Sequence, residues 1–166
     1  MKKSILVASI VLVVIIALAL LVPVFNSNNV INITDTKALK QNGIEIVKDS
    51  LSGILKKVSN SGVIIEVNDH NVYIPMTLIK GFILYHPTNY VEQVKQIMAT
   101  TGKSEFDAIQ EVIETLPYKA NCVYGSVAAN SITFDELIDI SRAKELIGLK
   151  AIFLIDQKGL IIFDIK

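Results

Sequence analysis

A continuous apolar run near the amino terminus constrains this chain more than any other feature. Within residues 5–25 only Ser9 and Pro23 are not apolar. A helix rises about 1.5 Å per residue, so a helix of this length would cross a hydrocarbon core of about 30 Å. The sequence therefore predicts a transmembrane anchor at residues 5–25.

The residues on either side of the run predict its orientation. Lys2 and Lys3 precede the run, whereas residues 26–29 after it carry no charge. Positive charge is retained on the cytoplasmic side, which places the amino terminus inside the cell. The alternative is a cleaved signal peptide. It is disfavoured because the run exceeds the usual apolar region of about 7–15 residues and no pair of small residues marks a cleavage site.

This orientation predicts four segments and one location. The segments are a cytoplasmic tail at residues 1–4, the anchor at 5–25, a polar spacer at 26–34 and an extracytoplasmic domain at 35–166. The predicted location is the cell membrane, with a single pass. An Asn-Ile-Thr triplet makes Asn32 a candidate glycosylation acceptor on the outer side.

Charge and cysteine content exclude two classes of protein. The chain carries 16 basic and 16 acidic side chains, and beyond the anchor its longest basic run is Lys56-Lys57. Two adjacent cations release too few counterions to hold DNA or RNA, so no nucleic-acid partner is expected. Cys122 is the only cysteine, which excludes a redox pair or a disulfide within the chain.

Apolar spacing predicts the elements of the domain. Apolar side chains recur every three or four residues over 44–58, which predicts a helix. Residues 63–67 and 72–76 are rich in β-branched side chains and flank a turn-forming stretch, which predicts a hairpin. Residues 151–155 and 160–163 are apolar on both faces, which predicts two central strands.

Helix-capping patterns predict three further helices, because each places a capping oxygen three residues before a carboxylate. The patterns are Asn89 with Glu92, Ser104 with Asp107, and Thr133 with Glu136. A short strand is predicted around Val123. The predicted fold class is thus α+β: a transmembrane helix, then a small domain of about five mostly antiparallel strands and four or five helices.

No segment carries a catalytic, cofactor or metal motif. Gly102-Lys103-Ser104 matches the end of a phosphate-binding loop, but that loop needs a glycine where this chain has Ile97. The candidates for chemistry are Cys122, His70 and His86. A thiol nucleophile needs a histidine beside it in space, and nothing in the sequence brings either one to Cys122. Cys122 is expected to be a small buried apolar residue.

The sequence therefore predicts a membrane-anchored extracytoplasmic binding or assembly module, not an enzyme. Its expected contacts are membrane lipid through residues 5–25 and another membrane or surface protein. One alternative is a filament subunit, since pilins resemble this chain in their basic leader, long apolar helix with a proline like Pro23, and α+β head. A second alternative is a membrane-tethered hydrolase or thiol enzyme.

Overall fold

The computed structural model describes residues 30–164, which form one nine-stranded sheet with four α-helices. In chain order the elements are β1 (Val30–Asn32), α1 (Thr36–Gln41), β2 (Ser50–Ser59), β3 (Gly62–Val67), β4 (His70–Pro75), a 3-10 turn (Met76–Leu78), β5 (Gly81–His86), α2 (Val91–Thr101), α3 (Glu105–Thr115), β6 (Ala120–Ser126), β7 (Ser131–Ile138), α4 (Ile140–Glu145), β8 (Lys150–Leu154) and β9 (Gly159–Phe163).

The sheet is mixed, with strand order β1-β4-β3-β2-β8-β9-β5-β7-β6. β1 pairs with β4 and β5 pairs with β9 in parallel, and the other neighbours are antiparallel. The predicted fold class, an anchor followed by about five mostly antiparallel strands, is therefore wrong. The sequence undercounted the strands because several of them lack the alternation of apolar and polar residues that marks a half-buried strand.

The helices pack on one face of the sheet, where alternate strand residues are buried. Phe153 in β8, Leu160 in β9 and Leu84 in β5 belong to a large cluster that also holds residues of α1 and α4. A smaller cluster joins α2 and α3 to Phe134 of β7. Leu84 and Phe134 share this face, because Phe134 is paired with His86, two residues after Leu84.

The helix predicted over residues 44–58 is wrong, because most of this segment is β2. The pairing of β2 with β3 shifts register between Leu55 and Lys57. A β-bulge of this kind adds one residue and breaks the two-residue alternation. As a result Leu51, Leu55 and Val58 are buried at spacings of four and three, which imitates a helix.

The helix predicted to begin at Thr133 is also wrong, because this segment lies in β7. Ile132, Thr133, Phe134 and Asp135 are all buried, so no alternation marks them as a strand. The helix that follows is α4, and Asp139 caps it by accepting a hydrogen bond from the Arg142 amide at 2.8 Å. Side chains on both faces of β7 are buried. This burial is caused by segments that are distant in sequence, so the spacing of apolar residues within β7 cannot predict it.

The predicted anchor at residues 5–25 and the cytoplasmic tail lie outside the described residues. Within residues 30–164 there is no helix of the length and apolarity that a membrane crossing requires. The structure therefore does not support a single-pass membrane protein, and we withdraw that localisation. The end of the predicted spacer forms β1. The pilin-like alternative rests on residues outside the described range and stays a prediction.

Candidate functional site

Polar residues cluster where β5 and β7 run side by side near one edge of the sheet. Tyr85 is paired with Asp135, and Leu84 is paired with Glu136. Successive side chains of a strand point to opposite faces. Tyr85 and Asp135 therefore share the open face, whereas His86 and Glu136 share the face that carries the helices.

A cleft of about 520 Å³ opens on the helix-bearing face. β5 and β7 supply its floor, α4 supplies Arg142, the residue after β9 is Asp164, and the segment after α3 supplies Tyr118. Its lining residues are His86, Thr88, Tyr90, Pro117, Tyr118, Glu136, Arg142 and Asp164. The volume falls in the range of about 300–1,000 Å³ that small-molecule sites occupy.

His86 lies at the centre of this cleft, between two carboxylates. Its Nε2 is 3.2 Å from Oε2 of Glu136, and its Nδ1 is 4.0 Å from Oδ2 of Asp164. The ring stacks on Tyr118 with 3.8 Å between ring centroids and 14° between planes. The imidazole side chain is only 16% exposed. Two acids and one aromatic ring therefore hold His86 in one orientation.

Tyr118 presents an unusual hydroxyl group to this region. The hydroxyl is buried and has no hydrogen-bond partner among the residues described. Burial raises the pKa of Tyr118 well above its ordinary value, and the neighbouring Tyr90 and the Glu136 carboxylate raise the pKa further. The phenol is thus a neutral donor throughout the physiological range. A buried polar group without a partner costs stability, and the Tyr90 side chain is the polar neighbour of this hydroxyl.

Metal binding is not favoured by this arrangement. Across residues 30–164 no three His, Cys, Asp or Glu side chains are placed to hold one metal ion. Glu136 and Asp164 approach different nitrogens of the His86 ring, which point in different directions. A single metal ion therefore cannot bind His86 and both carboxylates at once.

A second polar cluster lies on the open face and is centred on Asp135, which is 1% exposed. Oδ1 of Asp135 accepts hydrogen bonds from the Cys122 amide at 2.8 Å and from Nδ2 of Asn121 at 3.2 Å. The Tyr124 hydroxyl donates to its other oxygen. Partial burial and the Asp135 carboxylate raise the pKa of Tyr124. All three donors come from β6, so this cluster fastens the edge strand to β7.

The structure separates the three residues that the sequence singled out. His86 lies in the cleft, whereas His70 begins β4, five places away from β5 in the strand order. Cys122 is exposed on β6, and its sulfur is 3.3 Å from the Asn121 side chain. The expectation that Cys122 is buried is therefore wrong. Asn32 is exposed, and its Oδ1 accepts hydrogen bonds from Thr34, so its glycosylation stays a prediction.

Sequence reasoning missed the residues that surround His86. Glu136 was assigned to a helix cap, and Tyr90, Tyr118, Arg142 and Asp164 were not considered. One local signal was present, since Tyr85-His86 and Asp135-Glu136 place polar pairs inside otherwise apolar segments. Their contact joins residues 50 positions apart, and only the pairing of β5 with β7 brings them together.

No known protein family, no curated protein and no solved structure matches this chain.

Proposed function

We propose that this protein is a binding module whose cleft around His86 holds a small polar ligand with a cationic group, such as an amine or a guanidinium. The observation that carries the proposal is the presence of two carboxylates and two tyrosine rings around one cleft. Carboxylates form charge-assisted hydrogen bonds with such cations, and aromatic faces attract them.

The charges in the cleft favour a cation over an anion. Arg142 is the one permanently charged cation in the lining, and its nearest acid is Glu145, with 2.6 Å between Nη1 and Oε2. Glu136 and Asp164 act on the Arg142 charge more weakly than Glu145 does. Glu136 and Asp164 are only 24% and 30% exposed, and His86 is the nearest partner of both. A cationic group entering the cleft would meet these two acids beside the His86 ring.

Titration of the full chain with L-arginine, followed by calorimetry and by NMR signals of His86, tests the proposal. We expect saturable binding that Glu136→Gln and Asp164→Asn each weaken about tenfold, since each removes one charged acceptor. Glu114→Gln is the matched control, because Glu114 is an exposed acid on α3 outside the cleft. Equal binding of sodium phosphate and L-arginine, or equal effects of all three variants, would contradict the proposal.

The contact between His86 and Glu136 supports a second candidate, a hydrolase that uses His86 as a general base. A carboxylate that orients an imidazole is a recurring arrangement in acid–base catalysis. The thiol version of this hypothesis is less favoured, because Cys122 is not part of the cleft lining. Hydrolysis of p-nitrophenyl acetate that exceeds the rate of the His86→Gln variant would support the candidate, and equal rates would exclude it for this substrate.

A further inference from the structure

β6 forms an exposed edge of the sheet. Within residues 30–164 it pairs only with β7, and its central residues 121–125 are all exposed. The opposite edge is β1, which spans only Val30–Asn32. An edge strand presents unpaired backbone donors and acceptors to any chain that can align with it. Among the described residues, β6 is therefore the longer of the two edge strands.

The backbone of Val123 faces this open edge. Ile132 of β7 accepts a hydrogen bond from the Tyr90 amide and donates its own N–H to the Asn89 side chain, both on the β5 side. Backbone groups alternate direction along a strand, so Phe134 also faces β5. Val123 lies opposite Phe134 in β6. Its N–H and C=O therefore point away from β7, toward solvent.

The sequence of β6 offers little protection against pairing. Natural edge strands are guarded by charged residues, by proline or by bulges. β6 holds no charged residue and no proline between Ala120 and Ser126. Its one shift of register lies before Val123, and Gly125 after it has φ +96. The contacts of Asp135 with Asn121, Cys122 and Tyr124 hold the backbone on both sides of Val123 in place, so this part of the edge is preorganised.

We propose that β6 pairs in an antiparallel manner with β6 of a second copy of this chain, about a two-fold axis at Val123. The ends of the strand are complementary in charge. The amide of Val127, just after β6, donates to Oε1 of Glu105 at 2.7 Å, which places a carboxylate at that end. Lys119 lies just before β6 at the other end. Antiparallel pairing brings Lys119 of each copy toward Glu105 of the other. The uncharged central residues of the two β6 strands then face each other without charge repulsion.

This interface is independent of the ligand cleft proposed above, which lies on the helix-bearing face and not at the edge. The cleft lining includes no residue of β6. Failure of one proposal therefore leaves the other untouched.

Crosslinking of the full chain tests the interface, because Cys122 is its only cysteine and is exposed beside Val123. With a short bismaleimide we expect a covalent dimer. Val123→Lys should lower the dimer yield about tenfold, because it places like charges directly opposite each other at the axis. Val47→Lys is the control, since Val47 is an apolar residue that is 58% exposed outside the edge. Circular dichroism checks that each variant is folded.

A second pair of variants tests the register without altering β6. Lys119→Glu should reduce the dimer yield, and Lys119→Glu combined with Glu105→Lys should restore it. A wild-type chain that yields no crosslinked dimer overturns the proposal. A Val123→Lys chain that crosslinks as well as the wild type does the same. An edge that captures an unrelated extended peptide but not a second copy also overturns it.

Discussion

Asp135 shows how one residue can hold an edge of a sheet in place. Its carboxylate is buried and accepts hydrogen bonds from Asn121, Cys122 and Tyr124, all on β6. The register of β6 against β7 shifts between Ala120 and Val123. A bulge leaves an extra residue without a partner in the ladder. The Asp135 side chain supplies that partner, so the bulge and the buried acid depend on each other.

We expect Asp135→Ala to lower the free energy of unfolding by about 2–3 kcal/mol, because it leaves buried donors without an acceptor. Urea denaturation measures the change. Asp156→Ala is the matched control, since Asp156 is exposed in the turn between β8 and β9 and should change stability by less than about 0.5 kcal/mol. Similar losses in both variants would show that the contacts of Asp135 with β6 contribute nothing.

The effect of an added side chain on stability can be compared at two glycines, Gly125 and Gly81. Gly125 has φ +96, and a Cβ there would lie 1.9 Å from the Ser131 carbonyl oxygen. Gly81 has nothing within 4 Å of the same built position and no positive φ. We expect Gly125→Ala to destabilise the fold by more than about 1 kcal/mol and Gly81→Ala to be nearly neutral. Thermal unfolding distinguishes the two, and equal melting temperatures would contradict the argument.

Local chemistry governs some elements, and α3 is the clearest of them. Ser104 accepts a hydrogen bond from the Asp107 amide at 3.2 Å, and Glu105 and Asp107 place negative charge in the first turn. The cap was predicted correctly because a helix start depends on residues within one turn. β2 and β7 show the opposite behaviour, since their local patterns predicted helices. A bulge in β2 and covered faces in β7 override those patterns.

We expect Ser104→Ala to cost about 1 kcal/mol, the usual value for loss of a helix cap. Ser141→Ala is the control, because Ser141 is an exposed residue of α4 whose side chain makes no hydrogen bond in the described part of the chain. The difference in urea midpoint between the two variants measures the cap. A Ser104→Ala chain as stable as the Ser141→Ala chain would show that α3 does not need its cap.

At the scale of the whole molecule, β5 and β7 connect the two polar clusters. The cleft around His86 and the cluster around Asp135 lie on opposite faces of the same two strands. Each contains a tyrosine whose pKa is raised mainly by burial, Tyr118 in the cleft and Tyr124 in the open-face cluster. Stability at high pH should therefore report on both faces together.

We expect the free energy of unfolding to fall as pH rises above about 10, the ordinary tyrosine pKa. The folded chain holds these protons more tightly than the unfolded chain, so the stabilisation is complete below the unfolded pKa and is lost as pH rises through the folded pKa. Urea denaturation between about pH 8 and pH 11 measures the slope. The double variant Tyr118→Phe, Tyr124→Phe should show a shallower decline, and an unchanged slope would contradict the assignment.

The sequence by itself determined the features that depend on neighbouring residues: the hairpin of β3 and β4, the capped start of α3, and the strands β8 and β9. The cap predicted at Asn89 is wrong, because α2 begins after Tyr90 without a side-chain cap, and Asn89 instead accepts a hydrogen bond from the Val91 amide at 3.1 Å. Tertiary structure decided the rest. It set the nine-strand order, turned two predicted helices into β2 and β7, and placed Glu136, Asp164 and Tyr118 around His86. The physical reason is the distance along the chain over which each interaction acts. Capping and turn formation involve residues only a few positions apart. Strand pairing and burial on two faces instead depend on chain segments that are distant in sequence.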